Sequence, residues 1–248
     1  MTAAEPTILA TSGGYARPER GDLALGPLVH HAIGLSRPQG RPRVAHLGTA
    51  SGDQRSFNAQ LGEAASRAGV ELTHVNLFPM PTLDDVEAHL LAQDVVWVGG
   101  GSVANLLAVW RVHGLEQTFR RVWEAGVVLA GVSAGSICWF RGGTTDSFGP
   151  ELRAVRDGLG LLPFDNGVHH DSEARRRPTI HRLVADGTFG ETHCTDDGAG
   201  LHYEGTELVG CVTERPGARC YPRDEGGRRR GRRGRAADRR ACPVDGGR

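Results

Sequence analysis

The sequence predicts an α/β protein, with a mainly parallel sheet covered by helices on both faces and an antiparallel extension toward the C-terminal end. Three observations predict it. From residue 7 to residue 130, short apolar runs suited to strands alternate with stretches of helical spacing, the pattern of βαβ units. Several of those runs, DVVWV at 94–98 and VVLA at 127–130 among them, are nearly continuously apolar, as strands buried on both faces are. After Gly142 the rhythm changes to closely spaced strand-like pieces without long helices between them.

The elements follow in order. TILAT (Thr7–Thr11) reads as a short buried strand stopped by Ser12-Gly13-Gly14. Residues 23–33 have helical apolar spacing, and RVAHLG at 43–48 is the second strand. Residues 53–68 form a helix with Phe57, Leu61, Ala64, Ala65 and Ala68 on one face. A third strand at 70–77 and a third helix at 83–91 lead to DVVWV and then Gly99-Gly100-Gly101. One or two helices around Gly114 fill 106–124, and VVLA runs into Gly131-Val132-Ser133-Ala134-Gly135. Beyond a loop at 144–150 and a short helix at 177–185, strand-like pieces at 191–194, 200–203 and 207–214 are expected to extend one edge of the sheet in antiparallel fashion.

The chain has 248 residues, 39% of them hydrophobic, enough for a sizeable core. Its formal net charge is zero, but residues 226–248 hold nine Arg and two acids, so the rest is mildly acidic. Every basic side chain is Arg. The balance argues against nucleic acid as a partner of the folded body. No apolar run is long enough to span a bilayer and the N-terminus lacks a secretory signal, so a cytoplasmic protein with no membrane partner is expected. The organisation expected is one α/β domain over residues 1–225 followed by a disordered Gly/Arg-rich tail, 226–248. The five cysteines, Cys138, Cys194, Cys211, Cys220 and Cys242, form no CxxC and no zinc-like cluster, and are expected to be reduced, with Cys194 and Cys211 a candidate pair across neighbouring strands.

The most informative motif is the strand VVLA followed by G-x-S-x-G. A serine on a tight strand-to-helix turn has strained backbone angles and an exposed Oγ, and the small residues around it let strand and helix approach. Ser133 is the candidate nucleophile. Backbone N–H groups of Gly100, Gly101 and Ala134 are candidates for an oxyanion hole, since glycine lets the backbone face a substrate closely. The rival reading of GGGSVA as a dinucleotide site lacks GxGxxG. A serine needs a base, and His169-His170-Asp171 differs from most of the 11 histidines in lying on a loop that can reach it. Metal ligation by the adjacent histidines lacks a second cluster to complete it.

Taken together, VGGGSVANLL (98–107), GVSAGSICWF (131–140), GLGLLP…VHHD (158–171), RRP (176–178) and DDGAGLHY (196–203) resemble peptidase E (aspartyl dipeptidase) and its relatives, including cyanophycinase. The resemblance runs from about residue 8 to residue 214. It implies a class I glutamine-amidotransferase-like α/β/α sandwich, with serine in place of the amidotransferase cysteine. The activity implied is exopeptidase hydrolysis of a small peptide substrate, needing no metal or other cofactor. Matched motif by motif, it makes Ser133 the nucleophile and His169 the base, although His170 stands where the family has an aromatic residue. It offers two acids, Asp197 in the acid-Gly step and Asp146 in the TTD loop, with Asp197 favoured to orient the histidine and Asp146 supporting. Arg176, within the run Arg175–Arg177, falls near the position that meets the substrate's aspartate carboxylate. Two other readings accompany this one: a cyanophycinase-like enzyme for β-aspartyl peptides, and a catalytically silent binding protein using the same pocket. The oligomeric state is left open, a homodimer included.

Overall fold

The computed structural model describes residue 3, residues 5–18 and 21–222, and the backbone at 232, 233, 235 and 236. Strands β1 (Thr7–Thr11), β2 (Tyr15–Ala16) and β3 (Ala24–Leu25) precede helix α1 (Pro27–Ser36). Then come β4 (Arg43–Leu47), α2 (Arg55–Arg67), β5 (Glu71–His74), α3 (Val86–Leu91) and β6 (Val95–Val98). Helices α4 (Val103–Val112) and α5 (Leu115–Glu124) lead to β7 (Val128–Val132), α6 (Ala134–Ile137) and β8 (Phe140–Thr145). The chain continues through β9 (Arg153–Val155), β10 (Leu162–Gly167), α7 (Arg176–Ala185), β11 (Thr192–Thr195), β12 (Ala199–Glu204), β13 (Glu207–Thr213) and β14 (Arg219–Tyr221). Two-residue strands β15 (Arg232–Arg233) and β16 (Arg235–Ala236) complete the assignment. The remainder of the 226–248 tail, for which disorder is expected, and Cys242 lie outside the described residues.

The larger sheet has the order β16-β13-β12-β1-β7-β6-β4-β5. Its members β1, β7, β6, β4 and β5 run parallel, while β12 and β13 add antiparallel on the β1 side. Successive side chains on a strand point to opposite faces, and that alternation divides the core. Ile8, Val96, Val98 and Leu129 face a layer built by Leu106 and Trp110 of α4, Phe119 of α5 and Ile137 of α6. Leu9, Val95, Trp97 and Val128 face the opposite layer, formed by Leu28, Val29 and Ile33 of α1 and Ala65 of α2. Both faces are therefore covered, which is why these strands are apolar at nearly every position. The result is a three-layer α/β/α fold.

The sequence does not foresee a second sheet. It has the order β15-β14-β11-β10-β8-β9, with β8, β10 and β11 parallel. Of the three strand-like pieces expected to extend one edge, β12 and β13 do so, whereas β11 belongs to this second sheet. Its members are hard to recognise because many of their buried residues, such as Thr144, Asp165, Asn166 and Thr192, are polar, and others are glycine. In β10, Asp165 accepts from the Gly190 N–H at 2.8 Å and pairs with Arg141 at 3.0 Å. Asn166 donates to the His193 carbonyl and accepts from Ser136 Oγ, both at 2.9 Å. In β8, a Cβ on Gly142 would lie 2.1 Å from the Val155 carbonyl oxygen, and one on Gly143 2.5 Å from that of Asn166.

Smaller differences have local causes. The expected helix at 23–33 starts later, because Pro27 at its first turn sets the entry into α1. Residues 106–124 fall into two helices broken at Gly114, whose φ is +67°. Cys211 and Cys220 form a disulfide with a Cα–Cα distance of 6.1 Å. That corrects the expectation of reduced cysteines; the partner of Cys211 is Cys220, and Cys194 stands opposite Tyr221 across β11 and β14. No helix among the described residues is long and apolar enough to cross a membrane.

Candidate active site

The parallel strands end together along one edge of the larger sheet, where backbone N–H groups and short loops are free to build a site. At the end of β7 the chain turns through Ser133, with φ 58° and ψ −111°, directly into α6. Such a conformation in a non-glycine residue costs about 1–3 kcal/mol and persists only where its surroundings enforce it. They do so here. The Ser133 N–H donates to the Thr11 carbonyl at 3.0 Å, and its own carbonyl accepts from Ser136 and Ile137 at 2.9 and 3.0 Å. A Cβ on Gly135 would lie 2.2 Å from the Val98 carbonyl oxygen, and one on Gly131 2.3 Å from that of Gly135. The glycines of the motif therefore let strand, turn and helix close against β6. Ser133 is left half-buried.

The loop after β6 lies against this serine. A Cβ built on Gly100 would sit 3.3 Å from Ser133 Cβ and 3.9 Å from its Oγ. Gly101, with φ +137°, passes so close to the 49–51 turn that a Cβ would meet the Ala50 carbonyl oxygen at 2.4 Å. The N–H groups of Gly100, Gly101 and Ala134 donate to no described residue. They are unspent donors beside the hydroxyl.

His169 follows β10, and Asp197 follows β11. The parallel register that sets Gly167 beside Cys194 brings them together two and three residues further on. His169 Nδ1 lies 2.5 Å from Asp197 Oδ1. The His169 backbone has φ 55°, a second left-handed non-glycine residue at the same edge. Its N–H donates to Ser12 Oγ at 3.1 Å, and Ser12 Oγ also lies 2.6 Å from Thr195 Oγ1. Behind the pair, the Asp197 N–H donates to Asp171 Oδ1 at 2.8 Å, Arg215 Nε donates to the Asp197 carbonyl at 3.0 Å, and Arg215 closes an ion pair with Asp171. Burial pushes the Asp171 carboxyl up, but the Asp197 N–H and the Arg215 guanidinium outweigh it and hold its pKa below the ordinary value. No hydrogen bond joins Ser133 Oγ to His169; both are anchored on the end of β1, the first through Thr11 and the second through Ser12.

The remaining candidates lie elsewhere. His170 is buried and turned away, its Nε2 accepting from Arg177 Nε at 3.1 Å. Asp146 is exposed in a turn closed by the Gly149 N–H, and its carboxylate bonds to no described residue. Arg176 is not placed to meet a substrate. It is buried, with Nε donating to Glu173 at 2.7 Å and Nη1 to the Thr144 carbonyl at 2.8 Å. Sequence reading passed over Ser12, Asp171 and Arg215. Ser12 carries a faint signal, a hydroxyl in a Ser-Gly-Gly turn after the first buried strand; the Asp171–Arg215 pair carries none, because it depends on distant elements meeting. Among the described residues no group of three or more His, Cys, Asp or Glu side chains is arranged to hold a metal ion.

A serine on a strand-to-helix turn, unspent N–H donors beside it and a histidine–carboxylate pair on the same edge make up the parts of a hydrolase that works through a side-chain nucleophile. The chain belongs to peptidase family S51, whose profile matches residues 8–210. It is 36% identical over 214 residues to a Bacillus subtilis protein described as the uncharacterised peptidase YgaJ, covering 86% of this chain and 90% of that one. It is 27% identical over 140 residues to peptidase E of Streptomyces coelicolor, covering 52% of this chain and 51% of that one. Two solved structures share the fold. A peptidase from an acI-B1 actinobacterium superimposes with a TM-score of 0.64 at 14% identity, covering 96% of each chain. A putative peptidase E from Listeria monocytogenes gives 0.57 at 15%, covering 83% of this chain and 98% of that one. The protein is thus a peptidase.

Proposed function

We propose that the protein is a serine-type exopeptidase that cleaves short peptides, dipeptides among them. Ser133 Oγ attacks the scissile carbonyl, and His169 Nε2 takes its proton and returns it to the departing amine. Asp197 keeps the Nδ1 proton of His169 directed at itself, which leaves Nε2 as the acceptor and stabilises the imidazolium that forms. The N–H groups of Gly100, Gly101 and Ala134 receive the oxyanion, and water then releases the acyl-enzyme. The observation that carries this reading is the 2.5 Å contact between His169 and Asp197 at the sheet edge that also bears the strained Ser133. Preference for an N-terminal aspartate rests on the resemblance to peptidase E alone, and draws no support from Arg176. The test is Ser133→Ala, assayed on Asp-X dipeptides and on a chromogenic aspartyl anilide. Turnover should fall by at least about a thousandfold with the circular dichroism spectrum unchanged; turnover equal to that of the parent would overturn the mechanism.

A further inference from the structure

Strand β13 belongs to the larger sheet and β14 to the second, so residues 214–218 between them cross from one sheet to the other. On the way they pass behind the carboxylate that faces His169, and residues 214–219 hold each of residues 196, 197 and 198. The Asp196 N–H donates to the Arg219 carbonyl at 3.0 Å, and Asp196 Oδ2 accepts from the Arg219 N–H at 3.0 Å. Arg215 Nε donates to the Asp197 carbonyl at 3.0 Å. The Glu214 N–H donates to the Gly198 carbonyl at 2.8 Å. The Glu214 carboxylate in turn accepts from the Gly14 N–H at 2.9 Å and the Leu28 N–H at 3.2 Å, which ties the crossing to the turn after β1. The fit is close: a Cβ on Gly198 would lie 2.9 Å from Arg215 Cβ, and one on Gly13 2.3 Å from Glu214 Oε1.

Left to themselves these contacts are a weak restraint. The Arg215 side chain is 49% exposed and that of Asp171 31%, and an ion pair so open to water is worth little. Of residues 214–218 only Ala218 is buried. What closes the crossing is covalent. Cys211 lies in β13 and Cys220 in β14, and their disulfide joins the two ends across a sequence separation of nine. Such a link restricts the conformations open to the segment it encloses. Without it, β13 keeps its ladder with β12 and β14 its pairing with β11, so breaking the bond opens the crossing and leaves the sheets in place. Cys211 is half-buried and Cys220 buried, so an incoming thiol meets Cys211 first. Cys138 and Cys194, the other described cysteines, are both buried.

We propose that the Cys211–Cys220 disulfide is a redox control on the peptidase, acting through Arg215 as a positioning residue for Asp197. Closed, it presses residues 214–219 against residues 196–198 and keeps the Asp197 carboxylate aimed at His169 Nδ1. Reduced, the crossing slackens, that aim is lost, and turnover falls while the fold persists. The inference rests on the mechanism in which Asp197 orients His169, and adds its regulation. The reductant is a dithiol. One of its thiolates attacks Cys211 Sγ, the S–S bond breaks, and Cys220 Sγ leaves with the electron pair and takes up a proton. The second thiol of the reductant then attacks the mixed disulfide and releases Cys211 as a thiol. Two electrons and two protons pass to the cysteine pair, the dithiol ends as a disulfide, and an oxidised dithiol runs the exchange backwards.

The test equilibrates the full chain, without air, in mixtures of reduced and oxidised dithiothreitol, and counts thiols at 211 and 220 by alkylation and peptide mass. As the pair is reduced, kcat for an aspartyl anilide should fall at least about tenfold with KM within about twofold, and recover on reoxidation. Amide exchange at residues 196, 197 and 214 should quicken at least about tenfold, while β1, β6 and β7 stay as they were. Asp197→Asn already lacks the carboxylate, so reduction should change its residual turnover by less than about twofold. Arg215→Ala should imitate reduction, and Arg215→Lys should restore part of the loss. Free thiols at 211 and 220 in the oxidising mixture, exchange unchanged on reduction, or an equal loss of turnover in Asp197→Asn overturns the proposal. Faster exchange without Ser133-dependent turnover would remove the peptidase mechanism and keep the link between disulfide and Asp197. Ser133-dependent turnover indifferent to the redox mixture would overturn the control and keep the mechanism.

Discussion

Replacing Asp197 with Asn separates the two acids that the sequence offers. The substitution preserves size and leaves the backbone anchors intact, since the 197 N–H still reaches Asp171 and the 197 carbonyl still receives Arg215. What changes is the atom facing His169 Nδ1. An amide that turns its NH2 group toward Nδ1 makes that nitrogen an acceptor, puts the ring proton on Nε2, and leaves nothing to accept the serine proton. Loss of a buried orienting aspartate in a serine–histidine–aspartate site costs on the order of 10⁴ in kcat. Here the Asp197 side chain is 39% exposed, against 22% for His169, so water replaces part of the interaction. We expect a fall of about 10²–10⁴, equivalent to about 2.7–5.5 kcal/mol of transition-state stabilisation. The assay is anilide hydrolysis across pH, with melting temperature and circular dichroism as controls and Asp146→Asn in parallel. A variant at residue 197 retaining a third or more of the parent kcat would refute the reasoning; if Asp146→Asn were the inactive one, the orienting role would move there.

Other substitutions probe the turn and the buried polar groups. Gly135→Ala puts a methyl 2.2 Å from the Val98 carbonyl oxygen, so it should cost about 1–3 kcal/mol of stability and displace Ser133; an unchanged denaturation midpoint would contradict that packing. Gly100→Ala meets nothing closer than 3.3 Å and should leave the midpoint within about 1 kcal/mol, yet lower turnover at least about tenfold by crowding the hydroxyl. Burial, and next the charge of His74, depress His46 to a pKa of about 3 from the ordinary 6.5. The folded protein thus binds fewer protons than the unfolded chain between those values, and stability is lost as pH falls through that window. Calorimetric melting temperatures should decline there, less steeply in His46→Phe, and equal slopes would exclude His46 as a source.

Much of the fold was legible because the central strands are short, apolar and separated by glycine turns. The same glycines mark Ser133 and the loop beside it: close backbone approach demands small residues at Gly100, Gly131 and Gly135, and that demand leaves a trace in sequence. His169 and Asp197 were recognisable through motif resemblance rather than periodicity, because their meeting depends on the pairing of β10 with β11. That pairing is masked by the polar interior of β10, where Asp165 and Asn166 are buried in satisfied hydrogen bonds. Arg176 and Arg177 are indistinguishable by composition, and only the helical phase of α7 tells which one turns inward. The Cys211–Cys220 bond was illegible for a similar reason, since nothing in the spacing says that β13 of the larger sheet and β14 of the second come within disulfide reach of each other.

The end of β1 ties the site to the order in which the chain is made. Ser133 hangs from the Thr11 carbonyl, the His169 N–H from Ser12 Oγ, and the Gly198 N–H, next to Asp197, from the Ser12 carbonyl at 2.8 Å. Thr11 and Ser12 therefore wait for partners made some 120 to 190 positions later, and β1 acquires its second neighbour only when β12 appears. On the proposed mechanism, a growing chain carries Ser133 before it can hold His169 and Asp197 in place, so cutting power arrives only after Gly198 has been made.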